Sequence, residues 1–192
     1  VGLYRKSRYA DLQVYSFDGT DLTLNASTEH GQYIYAVSWR PNTNQLAVGI
    51  AGGSERLRLY DHDSQGGNLT EVSSARVNET RFVYGLSWNS AGTMLASARA
   101  SDSNGFDVKL FSYNSVLEKF NLATGYEIKN TVESIKWSPN GRYVASGDRT
   151  DMLRIFELAD TPLTFKDVKL FFGSDVNITT TVRFEGDCTI NL

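Results

Sequence analysis

Cysteine is almost missing from this chain: one residue, Cys188, in 192. A lone thiol forms no internal disulfide and cannot build a cysteine-based zinc site, so Cys188 is read as a small buried strand residue. Histidine is nearly as scarce. His30 and His62 are the two imidazoles, and neither stands near a serine or cysteine in a nucleophile motif. Glycine-rich phosphate loops, zinc spacings and nucleotide fingerprints are missing too, and no cofactor is expected. No stretch approaches the roughly eighteen apolar residues of a membrane span, and no charged start followed by an apolar run marks a signal peptide. The compartment is left open, with a soluble, cytoplasmic setting favoured over an extracellular one. The formal net charge is −3, and the basic cluster Arg5-Lys6-Arg8, beside Tyr4 and Tyr9, is too small to neutralise a phosphate backbone, which disfavours nucleic acid as a partner.

What the chain does have is a repeat. Its three tryptophans, Trp39, Trp88 and Trp137, stand 49 residues apart in Tyr35-Ala36-Val37-Ser38-Trp39, Tyr84-Gly85-Leu86-Ser87-Trp88 and Glu133-Ser134-Ile135-Lys136-Trp137. Seven residues after each comes a second short run: Leu46-Ala47-Val48, Leu95-Ala96-Ser97 and Val144-Ala145-Ser146. Third runs alternate apolar and charged residues and end in an aromatic: Leu57-Arg58-Leu59-Tyr60, Val108-Lys109-Leu110-Phe111 and Leu153-Arg154-Ile155-Phe156. Alternation with period two marks a strand with one buried face. Between first and second runs lie Arg40-Pro41-Asn42-Thr43-Asn44, Asn89-Ser90-Ala91-Gly92 and Ser138-Pro139-Asn140-Gly141, which read as hairpin turns. Leu69 to Val72 and Val116 to Leu122 supply fourth, outer strands. Four short strands per repeat make an all-β chain of propeller blades, with the three tryptophans buried at equivalent positions between blades.

These residues resemble the WD-repeat family, most closely at Trp137-Ser138-Pro139-Asn140-Gly141 and Ile155-Phe156. The Trp-Asp pair that names the family falls at Tyr60-Asp61, Phe111-Ser112 and Phe156-Glu157, and its Gly-His signal survives as a reversed His30-Gly31, so the resemblance is to a divergent member. It implies a β-propeller of four-stranded antiparallel blades and a non-catalytic scaffold for a protein or peptide partner.

Half-blades at the two ends suggest closure. Leu12-Gln13-Val14-Tyr15 and Leu22-Thr23-Leu24 read as third and fourth strands; Thr181-Val182-Arg183-Phe184 and Cys188 to Leu192 read as a first and second. Together they would complete one blade and remove a free edge, giving a single domain over 1–192 with about four blades. The alternative is a fragment of a larger propeller, which the opening Val1 in place of methionine favours. Residues 168–192 also admit a second reading as the start of a separate β-helix-like module.

In a WD-repeat propeller the first strands line the channel, and partners dock where they begin. Counting back four from each tryptophan places Tyr35, Tyr84 and Glu133 at that end, as a binding ring or as packing between blades. Arg56, Arg99, Arg149 and Asp151, in loops between second and third strands, are further candidates for the same face. Asp61-His62-Asp63 and Asp102 to Asp107 resemble incomplete oxygen-rich calcium loops, and polar hairpin turns carry such residues for backbone reasons alone; no metal is assigned. His30 reads as a loop residue or a hydrogen bond at the start of a strand. Sequons beginning at Asn25, Asn68, Asn78 and Asn177 bear on the alternative function, an extracellular or surface glycan-binding or adhesin module attached to a β-helix. A propeller hydrolase is the third reading, and the sequence supplies no converging acids or histidines for it. Oligomeric state is open.

Overall fold

The computed structural model describes residues 11–101, 105–150, 152–158, 163–166, 169–171, 182–185 and 189–191. Two compact units divide it, Val1–Glu157 and Leu158–Leu192.

The first unit opens with a two-stranded antiparallel ribbon, β1 (Leu12–Phe17) and β2 (Leu22–Thr28). Blade I follows as β3 (Ile34–Trp39), β4 (Gln45–Ile50), β5 (Glu55–Asp63) and β6 (Asn68–Glu71), with the short β7 (Val77–Asn78) pairing the start of β5. Blade II is β8 (Val83–Trp88), β9 (Met94–Arg99), β10 (Val108–Asn114) and β11 (Lys119–Tyr126). Blade III is β12 (Val132–Trp137), β13 (Tyr143–Asp148) and β14 (Leu153–Glu157). Neighbouring strands within each blade pair antiparallel. The first strands sit side by side, β3 against β8 and β8 against β12, as they do around a propeller axis.

The turns follow from local chemistry. Gly92 and Gly141 have φ of +66° and +70°, the left-handed conformation that glycine adopts without penalty, and their N–H groups close the turns onto Asn89 and Ser138 carbonyls at 3.0 and 2.9 Å. Asn42 takes φ +58° in the corresponding turn of blade I.

Blades are joined by apolar faces and one repeated polar contact. Leu57, Leu59 and Ala47 of blade I pack with Trp88, Leu95 and Phe111 of blade II. The backbone N–H of Trp88 donates to Ser38 Oγ at 3.4 Å, and that of Trp137 to Ser87 Oγ at 3.1 Å.

The expectation of three equivalent buried tryptophans holds for two. Trp88 and Trp137 are 6% and 5% exposed, but Trp39 is 46% exposed. Arg40, in the first turn of blade I, accounts for the difference at Trp88: its guanidinium lies 5.7 Å from the Trp88 ring and 4.7 Å from Tyr113, anchored by Nε to the Gly92 carbonyl at 2.7 Å. Among the described residues no guanidinium lies over Trp39, which meets the edge of His62 in its own blade.

In the second unit, β15 (Leu163–Lys166) pairs with β17 (Val182–Glu185) from Leu163 opposite Val182, and β16 (Lys169–Phe171) pairs with β18 (Thr189–Asn191) from Lys169 opposite Thr189. Both pairings are parallel. A first and second blade strand joined by a tight hairpin would be antiparallel, so the expected hairpin of residues 181–192 is corrected: its two strands pair with earlier segments of the same unit, not with each other. Cys188 and Thr181 lie outside the described residues, as do the Arg5-Lys6-Arg8 cluster and Asn177.

Candidate functional site

Tyr35, Tyr84 and Glu133 occupy one repeated irregularity. In blade I, Ile34 pairs with Ile50 and Ala36 with Gly49, leaving Tyr35 as the extra residue of a β-bulge. Val83 and Gly85 flank Tyr84 in the same way, and Val132 and Ser134 flank Glu133. Beyond each bulge the ladder resumes with Ala51, Ala100 and Arg149 donating N–H groups to the Tyr33, Phe82 and Thr131 carbonyls. A bulge bends its strand and re-aims the extra side chain, which turns these three residues out of the regular alternation at one end of adjoining strands.

They meet there. The Tyr35 and Tyr84 rings are 4.9 Å apart, Tyr35 lies 6.2 Å from both Tyr33 and Phe82, and Phe82 meets Tyr84 edge-on at 6.3 Å. Arg56 lies over Phe82 at 5.3 Å and Arg149 over Tyr84 at 5.7 Å, both within cation–π range. Arg149 Nε donates to Glu133 Oε1 at 2.7 Å, and hydrogen bonding and attraction to that carboxylate push the Arg149 guanidinium further up. Tyr35 is 42% and Phe82 38% exposed, so the patch is an open aromatic surface with cations at its edges.

Arg99 is not on this surface. It is the last residue of β9, 2% exposed, and ion-pairs with the fully buried Glu79, which Lys109 also contacts at 3.0 Å. The correction follows from strand alternation: Arg149 aligns with Ala100, one residue beyond Arg99, and adjacent strand residues face opposite ways. Asp151 lies outside the described residues.

The other polar candidates are taken up in hydrogen bonds within the fold. Asp63 Oδ1 accepts the Gln65 N–H at 3.0 Å, Asp61 Oδ1 accepts from Gln45 Nε2 at 3.0 Å, and His62 Nε2 meets Asn25 Oδ1 at 2.6 Å. Among the described residues no three His, Cys, Asp or Glu side chains come together in a metal-holding group.

His30 lies in the loop between β2 and β3. Its backbone N–H and ring Nδ1 both meet Asp11 Oδ1, at 2.8 and 3.1 Å, while Nε2 meets the Tyr60 hydroxyl at 2.5 Å. Because a carboxylate only accepts, Nδ1 carries the proton. Burial pushes the Asp11 carboxyl up, but the N–H groups of His30 and Gln32 outweigh it and leave it below its ordinary value. One blade later the arrangement is inverted: Arg56 holds the Asp11 position and Glu79 the His30 position, with Arg56 Nη1 donating to the Glu79 carbonyl at 3.0 Å. A blade further, the buried Asp107 accepts the N–H groups of Ile128 and Lys129 at 2.8 and 2.7 Å.

A profile of the family described as eukaryotic translation initiation factor eIF2A matches residues 3–158. The chain belongs to the eIF2A family. Within curated proteins it is similar to the F-box-like/WD repeat-containing protein TBL1Y of Homo sapiens, 27% identical over 133 residues, which cover 65% of this chain and 24% of that protein. Coronin-7 of Rattus norvegicus is 24% identical over 148 residues, 76% of this chain and 15% of the relative. The chain thus spans about a quarter or less of the curated relatives it matches. A chain of the solved structure titled Crystal Structure of Mitotic Checkpoint Complex superposes with a TM-score of 0.53 at 20% identity, over 69% of this chain and 38% of that one. That likeness shows the fold, a divergent WD-repeat propeller.

For this eIF2A-family chain, sequence reasoning missed Tyr33 and Phe82. Both precede their bulged tyrosine by two residues and repeat at the same 49-residue spacing as the tryptophans, so the signal was present in the repeat. Glu79 was missed because its partners, Arg99 and Lys109, lie in other strands, and Asp107, noted only as part of an incomplete calcium loop, is instead an acceptor for the Ile128 and Lys129 N–H groups. No helix of the described residues is long and apolar enough to cross a membrane.

Proposed function

We propose that this part of the eIF2A-family protein is a non-catalytic interaction module that docks a protein partner on the patch formed by Tyr33, Tyr35, Phe82 and Tyr84. The contiguous, open aromatic surface at the bulged ends of neighbouring first strands carries this reading, since tyrosine combines a large apolar area with a polar tip and is enriched among binding hot spots. Family membership supports partners from the translation initiation machinery and a cytoplasmic setting. The separate clustering of Leu158–Leu192 and its parallel strand pairs support a distinct, β-helix-like module in that stretch. The test replaces Tyr35 and Tyr84 together with alanine. Partner capture from a lysate of the source falls by about 2 kcal/mol or more in affinity, while thermal unfolding moves little because Tyr35 is open to solvent. Retained capture with a lowered melting temperature would assign the tyrosines to packing.

A further inference from the structure

Arg56 differs from the other arginines near the aromatic patch. Arg149 is paired with Glu133, Arg154 with Asp148 and Arg99 with Glu79. The half-buried Arg56 makes one hydrogen bond, to the Glu79 backbone carbonyl, and its Nε makes none. Among the described residues no carboxylate lies within ion-pair distance of it. The acid that could have served, Glu79, is already held by Arg99 and Lys109. A guanidinium has five donors in a planar fork suited to a carboxylate, and this one is held against Phe82 beside the open ring of Tyr35. Arg149, which lies over the Tyr84 ring, has as its ion-pair partner the exposed Glu133, a contact of the weak, solvent-screened kind.

Resting on the docking role of the patch, we infer that it selects an acidic peptide segment: a partner carboxylate pairs with Arg56, and an adjacent apolar or aromatic side chain packs on Tyr35. Arg149 supplies a second set of N–H donors for a partner carboxylate when its bond to Glu133 opens. Single-stranded RNA is the competing occupant, because bases also stack on tyrosines. The patch disfavours it: Glu133 stands on the rim, and phosphate-backbone binding calls for several unpaired cations along a strand, whereas of the two arginines stacked on the described patch Arg149 is paired with Glu133 and Arg56 lacks a carboxylate partner.

The experiment uses the full chain and three fluorescent probes: two peptides with the same phenylalanine and proline positions, one flanked by aspartates and the other by lysines, and an unstructured oligoribonucleotide. Anisotropy titrations should show the aspartate peptide binding at least about tenfold tighter than the lysine peptide, with the preference shrinking as salt rises. Arg56→Gln should abolish the preference while leaving the melting temperature close to the parent value, and Tyr35→Ala should weaken both peptides together. Equal binding of the two peptides, tighter binding of the lysine peptide, no binding of either, or an oligoribonucleotide that outcompetes the aspartate peptide overturns the inference. Partner capture that still depends on Tyr35 and Tyr84 in any of those cases leaves the docking patch standing and removes its acid selectivity alone; capture that does not depend on them removes the patch itself.

Discussion

Ser87 Oγ accepts the backbone N–H of Trp137 at 3.1 Å, repeating across the second blade junction the bond from Trp88 to Ser38 across the first. One serine on a first strand therefore ties each blade to the next, and the position that continues the series is occupied by Lys136.

Ser87→Ala leaves a buried backbone donor without its acceptor. A loss of about 1 kcal/mol is expected, read from the midpoint of urea unfolding at unchanged slope. Ser38→Ala, whose bond is longer and less enclosed, should cost less.

The tryptophans should separate into two classes. Trp88→Ala and Trp137→Ala each remove a buried ring, costing about 3 to 5 kcal/mol, whereas Trp39→Ala should cost about 1 kcal/mol or less. In variants keeping one tryptophan each, acrylamide should quench Trp39 fluorescence far more strongly than that of the other two. Equal quenching would contradict the packing of Arg40 on Trp88.

Glu79→Ala strands Arg99 in the interior without a counter-charge, and removing one partner of a buried pair typically costs about 3 to 5 kcal/mol. Replacing both Glu79 and Arg99 with apolar residues should recover much of that loss in thermal denaturation. A single variant as stable as the parent would show that the pair is solvated.

Gly85 is tightly enclosed: a Cβ there would stand 3.1 Å from the Ile135 backbone nitrogen and 3.2 Å from Ala98 Cβ, so its neighbours would have to give by a few tenths of an ångström. Gly85→Ala should push β8 from β12 and lower stability by about 1 to 3 kcal/mol, measured by differential scanning calorimetry. Ser134→Ala at the equivalent place in blade III should be mild.

Hydrogen bonds from Thr150, with Arg154 and the Met152 N–H, hold the Asp148 carboxyl down to about 2. A depressed carboxyl adds stability that is present above its unfolded-state value, near 4, and is lost as pH falls through about 2. The melting-temperature gap between the parent and Asp148→Asn should therefore be full at pH 5 and close between about pH 4 and pH 2. A gap constant across that range would show that the carboxylate charge contributes nothing.

The repeat and its turns were legible in the sequence because each rests on local chemistry, whereas the bulges at the starts of the first strands break the period-two count and emerged only in the strand pairing. Period-two alternation gives a strand one buried face, and Gly92, Gly141 and Asn42 tolerate the left-handed turn wherever they occur. The same spacing brought Tyr35, Tyr84 and Glu133 to one level, and it would have added Tyr33 and Phe82. Tertiary structure decided the rest, since burial depends on which face a neighbouring blade covers. Trp39 matches Trp88 in its flanks and in its ring partner, His62 standing where Tyr113 does, yet among the described residues no counterpart of Arg40 packs over it. Arg99 resembles a loop cation until strand alternation turns it onto Glu79 from another segment. The direction in which Val182–Glu185 pairs is set by a strand nearly twenty residues earlier, and a short apolar run carries the same pattern whether its neighbour lies parallel or antiparallel.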